Sequence, residues 1–204
     1  MSQVYVDEGM LPLCGFGLTG SFESCQRERR RVVNPLQKDS VIETSAESGG
    51  VRTLIEIDVA PGGGTIPHYH TSCDEHFEVL HGSLDVMVGG SVCTLRPGDK
   101  AIAPRNTLHN FRNSTSAQTT FLVELRPGSE GFERALIAGY GLARDCLVRA
   151  NGIPRNLLHL AVLLEWSEIR MPEIVAVFAP VFRLLAKQGR CMGVDRDLEA
   201  RYSW

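Results

Sequence analysis

The sequence lacks an excess of basic residues and a long apolar run, and each absence argues against a class of protein. Its 21 Lys and Arg residues against 24 Asp and Glu residues give a formal net charge of −3, so nucleic acid is not an expected partner. No run of about 18 apolar residues occurs, so we expect no membrane-spanning helix and no membrane partner.

The six cysteines are scattered along the chain, and no two of them form a C-x-x-C pair. The apolar segment Met10–Cys14 follows Asp7 and Glu8, at a place where a secretory signal needs positive charge. Without such a signal, we expect a cytoplasmic protein whose thiols stay free in a reducing environment.

Composition and residue periodicity divide the 204 residues into three regions. We predict an irregular N-terminal segment at 1–31, a β-barrel at 32–128 and a C-terminal α-helical extension at 129–204. Hydrophobic residues make up 43% of the chain, which is enough to form a globular core. The fold class predicted from these regions is mainly β, with a helical extension.

Short strands with alternating apolar residues predict the β-region. The side chains expected on one face of residues 51–59 are Val51, Thr53, Ile55, Ile57 and Val59. Similar short runs follow as far as residue 125, separated by turns such as Gly89-Gly90. Short strands at such even spacing are typical of a β-sandwich or barrel.

The extension changes to helical periodicity. We predict helices around 132–140 and after Pro154, and a third that begins at Pro172 and kinks at Pro180. The apolar stripe of this third helix consists of Ile174, Val177, Phe178, Val181, Phe182 and Leu185. We expect the stripe to pack on the barrel or on a second subunit, because it has no basic face for a membrane surface.

Five of the six histidines lie between positions 68 and 109. His68 and His70 fall on the same face of a strand, because strand side chains alternate. Glu75 returns to that face only if a turn or bulge interrupts residues 71–74. His109 lies on a later strand. The four residues are therefore candidates for one shared site inside the barrel.

Three neutral imidazoles and one carboxylate are suitable ligands for a divalent metal ion. Imidazole suits iron, copper, nickel and zinc, and the carboxylate extends the range to manganese. Four protein ligands leave one or two coordination positions open for substrate, water or dioxygen. The alternative is a metal-free barrel with core histidines, which is costly because buried polar groups need partners.

These residues make the sequence resemble the cupin family. The residues that match its first motif are Gly62, His68, His70, Glu75 and Gly82. The residues that match its second motif are Gly98, Pro104, His109 and Asn113. Asn106 stands where the family has a glycine, and asparagine tolerates a left-handed backbone. The resemblance covers residues 50–127.

The resemblance implies a double-stranded β-helix, also called a jelly roll, with His68, His70, Glu75 and His109 as metal ligands inside it. It implies one divalent metal ion per chain, iron first and manganese, nickel, zinc or copper as alternatives, and a homodimer. It most often implies a dioxygenase that acts on a small organic molecule. The alternatives are a redox-neutral isomerase, lyase or cyclase, and a non-catalytic small-molecule-binding cupin.

Four further residues are candidates for the surroundings of the site. Asn113 is predicted to hydrogen-bond the outer nitrogen of a ligating histidine. Tyr69 and Arg105 are predicted to line the barrel mouth. Cys73 is predicted to approach the mouth, or else to fill the loop before Glu75 as a small side chain. The sequence identifies no separate catalytic acid or base.

Overall fold

The structure, a computed structural model, describes residues 30–33, 37–149, 152–172 and 177–203. Residues 1–29, which make up most of the segment predicted to be irregular, lie outside the described residues. The first strand, β1, begins at Arg30, which is two residues before the predicted start of the barrel at 32.

Seven of the described strands lie in the run of short β-elements predicted from residue 51 to 125, whereas the first, second, fourth and last strands were not individually predicted. In chain order they are β1 (Arg30–Val33), β2 (Gln37–Glu43), β3 (Thr53–Val59), β4 (Tyr69–His70), β5 (Asp74–His81), β6 (Leu84–Val88), β7 (Ser91–Leu95), β8 (Lys100–Ala103), β9 (His109–Arg112), β10 (Thr119–Arg126) and β11 (Ile169–Arg170).

Two antiparallel sheets form the body of the fold. The larger has the order β1-β2-β3-β10-β5-β8, and the smaller has the order β7-β6-β9. A short ribbon pairs β4 with β11, so the C-terminal region contributes one strand beside the barrel. This arrangement confirms the predicted mainly β fold with a C-terminal helical extension.

The core lies between the two sheets. Strand β3 buries every second residue from Thr53 to Val59, as the sequence pattern predicts. Phe77 and Phe121 of the larger sheet pack in one buried cluster with Phe111 of the smaller sheet. The prediction was wrong for Val51, which is 67% exposed because it precedes the strand and is not held in the sheet.

Two turn residues show why the motif positions suit particular amino acids. Gly82 has φ +85°, and a Cβ there would lie 2.8 Å from the hydroxyl of Thr119, so a side chain is excluded by both conformation and space. Asn106 has φ 63°, which confirms that this asparagine takes the left-handed conformation expected where the family has glycine.

Helices follow the barrel, and the first two lie where helices are predicted, whereas the last was not predicted. They are α1 (Glu130–Arg144), α2 (Leu157–Trp166), α3 (Ala179–Cys191) and α4 (Val194–Arg201). The predicted kink at Pro180 was wrong, whereas the predicted helix start at Pro172 adjoins residues 173–176, which lie outside the described residues. Helix α3 has Pro180 in its first turn, where a missing N–H group is tolerated, and therefore needs no kink.

Helix α3 packs on α2 through a narrow face. Ala186 and Gly189 are its buried residues, and a Cβ on Gly189 would lie 3.1 Å from Val162 of α2. The exposed apolar residues at and just before this helix are Val177, Phe178, Val181 and Leu184. Of the predicted stripe, Val177, Phe178 and Val181 are thus exposed and Phe182 and Leu185 are half-buried, while Ile174 lies outside the described residues. Among the described residues, no helix is both long enough and apolar enough to cross a membrane.

Candidate metal centre

The fold brings His68, His70, Glu75 and His109 together. One potential ligand atom from each residue lies within 4.8 Å of the others, and all four residues are buried. The backbones of His68 and His109 pair directly, with N–H to O distances of 2.9 and 2.8 Å. These two histidines are thus held opposite one another by main-chain hydrogen bonds, and their ring centroids are 4.6 Å apart.

A short turn between β4 and β5 places Glu75 on the same side as the histidines. Strand β4 ends at His70 and β5 begins at Asp74, and the chain bends at residues 71 and 72 between them. Along β5, Glu75 is buried whereas His76 is only half-buried. The interruption expected within 71–74 is therefore present. It allows the side chain of Glu75 to lie on the same side as that of His70, although strict alternation along one strand would place them on opposite faces.

Backbone carbonyls set the orientation of two imidazoles. The Nδ1–H group of His68 donates to the carbonyl of Ile66 at 2.8 Å, and that of His109 donates to the carbonyl of Thr107 at 2.8 Å. A carbonyl can only accept, so Nδ1 carries the hydrogen in both rings. The Nε2 atoms are therefore the ones that face the cluster, as in metal-binding histidines.

The carboxylate of Glu75 occupies the centre of the cluster. Its Oε2 atom lies 2.7 Å from Nε2 of His109 and 3.2 Å from Nε2 of His70. Burial alone would raise the pKa of the Glu75 carboxyl, but the hydrogen bonds from His109 and His70 lower it well below its usual range. The carboxylate is thus ionised and able to bind a cation.

The pKa values of His68 and His109 are shifted in opposite directions. Burial lowers the pKa of His68 to about 4, so this ring is neutral at pH 7. Burial also acts to lower the pKa of His109, but the hydrogen bond and negative charge of Glu75 outweigh it and raise that pKa. A positive charge between Nε2 of His109 and Oε2 of Glu75 is therefore favoured, and it can be a proton or a metal ion.

The donor set fits a divalent metal ion. The cluster supplies three imidazoles and one carboxylate, all buried, with the Nε2 atoms of at least His68 and His109 free of backbone partners. This combination suits iron, manganese, nickel, copper or zinc.

Asn113 lies in a different hydrogen-bond network from the one predicted. Its amide donates to the carbonyls of Val59 at 3.0 Å and Ala117 at 2.7 Å, and its oxygen accepts from Thr115. It therefore holds the loop after β9. The outer nitrogens of His68 and His109 donate instead to the carbonyls of Ile66 and Thr107, which take the role predicted for the side chain of Asn113.

The other three predicted neighbours lie around the segment that joins β4 to β5. The side chain of Arg105 is 51% exposed and lies 3.2 Å from Asp74. Tyr69 is half-buried and alternates with His70 along β4. Cys73 is buried in the core, and burial raises the pKa of its thiol to about 12, so the thiol stays protonated at pH 7.

Two residues of the helical extension adjoin the site, and sequence analysis missed both. The ring of Phe132 in α1 lies 5.8 Å from that of His70 at an interplanar angle of 70°. Ile169 in β11 pairs with His70 in β4. Helical periodicity marked Phe132 as apolar, but no local signal linked either residue to a histidine far away in the chain.

A family model described as "Cupin domain" matches residues 55–124, which contain all four clustered residues. The chain is 27% identical over 136 residues to germin-like protein subfamily 2 member 4 of Arabidopsis thaliana, which covers 63% of this chain and 57% of that protein. It is 28% identical over 110 residues to quercetin 2,3-dioxygenase of Bacillus subtilis, which covers 53% of this chain and 32% of that enzyme.

Among solved structures, KdgF from a Halomonas species matches with a TM-score of 0.42 and 21% identity, over 47% of this chain and 83% of that one. The chain therefore spans about half of the curated germin-like protein and about a third of the curated dioxygenase.

Proposed function

Because residues 55–124 match a cupin-domain model, we propose that the chain is a cupin that binds one divalent metal ion through His68, His70, Glu75 and His109 and acts as a metal-dependent dioxygenase. The observation that carries the proposal is the buried cluster whose potential ligand atoms lie within 4.8 Å of one another. A small organic molecule is the proposed substrate, and iron is the proposed metal.

The chain's own residues prepare the site for this role. The carbonyls of Ile66 and Thr107 hold the rings of His68 and His109 with Nε2 directed inward. The ionised Glu75 supplies a negative charge that offsets part of the charge of a divalent cation. Burial of all four residues excludes water from the protein side of the site.

A bound iron would supply redox chemistry with dioxygen at its open coordination positions. The similarity to quercetin 2,3-dioxygenase supports this oxidative assignment.

In the described part of the chain, the side-chain hydrogen bonds of the four proposed ligands include no further titratable side chain, and this favours the oxidative function over a redox-neutral one. Isomerases and lyases need a side chain that moves a proton. Among the described residues, Cys73 is held protonated by burial, and Asp39, a buried carboxyl with a pKa of about 6, is hydrogen-bonded to Gln37 and Tyr140. Neither has a described hydrogen bond to any of the four proposed ligands.

The homodimer and the cytoplasmic location remain predictions.

Elemental analysis of protein purified without a metal-affinity tag tests the proposal. We expect close to one equivalent of metal per chain in the wild type, and less than a tenth of that amount in H109A. The matched control is H81A, because His81 is an exposed histidine of β5 and its removal leaves the cluster intact.

No metal in the wild type after anaerobic reconstitution with Fe²⁺, or equal metal in H109A and the wild type, would contradict the metal site. If iron is bound, oxygen-electrode assays with phenols, thiols and diketones then test the oxygenase. Bound zinc would favour the redox-neutral or non-catalytic alternatives instead.

A further inference from the structure

The first turn of α1 is fixed to the barrel beside the metal centre. Ser129 accepts a hydrogen bond from the N–H group of Phe132 at 3.1 Å and donates its own N–H group to Thr53 at 3.1 Å. The buried carboxylate of Glu133 accepts from the N–H group of Ser45 and the hydroxyl of Thr53, both at 2.6 Å. These four hydrogen bonds therefore hold Phe132 at a defined place.

From this place Phe132 provides an apolar wall next to a proposed ligand. Its ring meets the imidazole of His70 nearly edge-on, with centroids 5.8 Å apart. It also packs, together with Leu136 one turn later, against the buried core of the barrel. An aromatic group bound near His70 would be able to make favourable ring contacts with Phe132.

The ribbon of β4 and β11 adds a second apolar residue to this wall. Ile169 is the partner of His70, and Arg170 is the partner of Tyr69. Directly paired residues place their side chains on the same face of a ribbon. Ile169 therefore shares the face of His70, whereas Arg170 shares the opposite face with Tyr69.

Two arginines beside the ligand strands, Arg105 and Arg170, are engaged elsewhere. The side chain of Arg105 bonds Asp74 at 3.2 Å. The guanidinium of Arg170 donates to the carbonyls of Leu164 and Ile169. In the described part of the chain, no lysine or arginine has a hydrogen bond or ion pair with any of the four proposed ligands. An anionic substrate would thus find no cationic side chain in these contacts.

We propose that Phe132 and Ile169, both supplied by the helical extension, select uncharged apolar or aromatic substrates over small carboxylates. This inference rests on the proposed metal site and names its substrate class. Phe132 and Ile169 act by contacting the organic part of the substrate, whereas the four ligands hold the metal.

Two chelating probes of matched geometry test the selection on protein loaded with Co²⁺. Both 1-phenylbutane-1,3-dione, which releases a proton to the buffer and binds as its enolate, and malonate can chelate a metal ion through two oxygens on a three-carbon unit, but the end groups of the dione are apolar whereas those of malonate are charged carboxylates. Dissociation constants are measured from the visible spectrum of the bound cobalt. The ratio of the two dissociation constants is compared between variants. The intrinsic preference of cobalt for one chelator over the other is the same in every variant and therefore cancels.

We expect F132A to weaken the dione about tenfold while malonate changes less than about twofold, because only the dione has a phenyl group to lose contact with. I169K is expected to shift the ratio in favour of malonate by about tenfold, since it adds a cation on the face of His70. The matched control F178A removes a phenylalanine that is 56% exposed on the extension and leaves the ratio unchanged.

F132L is measured in parallel, because it keeps an apolar side chain and removes only the ring. It is expected to weaken the dione selectively even where the alanine variant does not fold. An unchanged ratio in F132L and I169K, with cobalt bound, overturns the selection and leaves the metal site standing. Failure of the wild type to bind cobalt overturns the metal site and this inference with it.

Discussion

In the barrel, strand β3 buries every second side chain from Thr53 to Val59, whereas in the extension helix α3 leaves Val181 and Leu184 more than half exposed. Both elements have a clear apolar periodicity in the sequence. A strand in a sheet has only two faces, and the pairing of β3 with β2 and β10 decides which face is inside. A helix on the surface can rotate, so an apolar stripe alone does not identify what it packs against.

The barrel and the extension also differ in the hydrophobic cluster that stabilises each of them. The barrel has one core that both sheets share, whereas the helices form a second, smaller cluster around Leu142, Val162 and Leu198. Helix α3 contributes little to either cluster. We therefore expect the same substitution to have very different effects in the two regions.

The largest expected contrast is between L125A in β10 and L184A in α3. Leu125 is 0% exposed and Leu184 is 66% exposed. L125A is expected to lower the free energy of unfolding by about 2–5 kcal/mol, because it leaves a cavity in the core. L184A is expected to change it by less than about 0.5 kcal/mol. Urea unfolding measures both, and a cost above 2 kcal/mol for L184A would show that another surface covers α3 in solution.

A second prediction concerns the junction between barrel and extension, where Asp39 of β2 meets Tyr140 of α1. Burial raises the pKa of Asp39 to about 6, although hydrogen bonds from Gln37 and Tyr140 act to lower it. The folded protein therefore retains a proton that the unfolded chain has lost between about pH 4 and 6. Stability is expected to fall as the pH rises through this window and to level off above it, by about 3 kcal/mol in all.

The variant D39N removes this titration, so its stability should follow the wild type at pH 4 and exceed it increasingly towards pH 7. The quantity to measure is the difference in unfolding free energy between wild type and D39N at several pH values. A difference that is flat with pH would mean that Asp39 is already ionised in the folded protein at pH 4.

The smallest expected contrast in the free energy of unfolding is between two substitutions at the start of α2 in the extension. The side chain of Asn156 accepts a hydrogen bond from the N–H group of Leu158 at 2.8 Å and so caps the helix. N156A is expected to lower the free energy of unfolding by about 1 kcal/mol. N156D keeps the hydrogen-bond acceptor and is expected to lower it by less. Urea unfolding followed by circular dichroism measures this, and equal losses in both variants would argue against capping as the cause.

Local periodicity and motif spacing were sufficient for most of the barrel and for the identity of the clustered residues. The alternation around β5 and the required turn before Glu75 were both predictable, because strand geometry leaves few alternatives. The start of α3 and the partners of Asn113 were not predictable. The first depends on where Pro180 can be accommodated, and the second on which carbonyls the folded loop brings within reach.

From the sequence alone, one can infer which residue types are available for metal binding and that strand alternation can direct them inward. Tertiary structure decides that carbonyls, and not Asn113, orient the imidazoles of His68 and His109. It also decides that Phe132 and Ile169 of the extension adjoin His70. The physical reason for the second point is range: periodicity acts between neighbours in the chain, whereas Phe132 and Ile169 lie 62 and 99 positions from His70, and only the packing of the extension on the barrel brings them together.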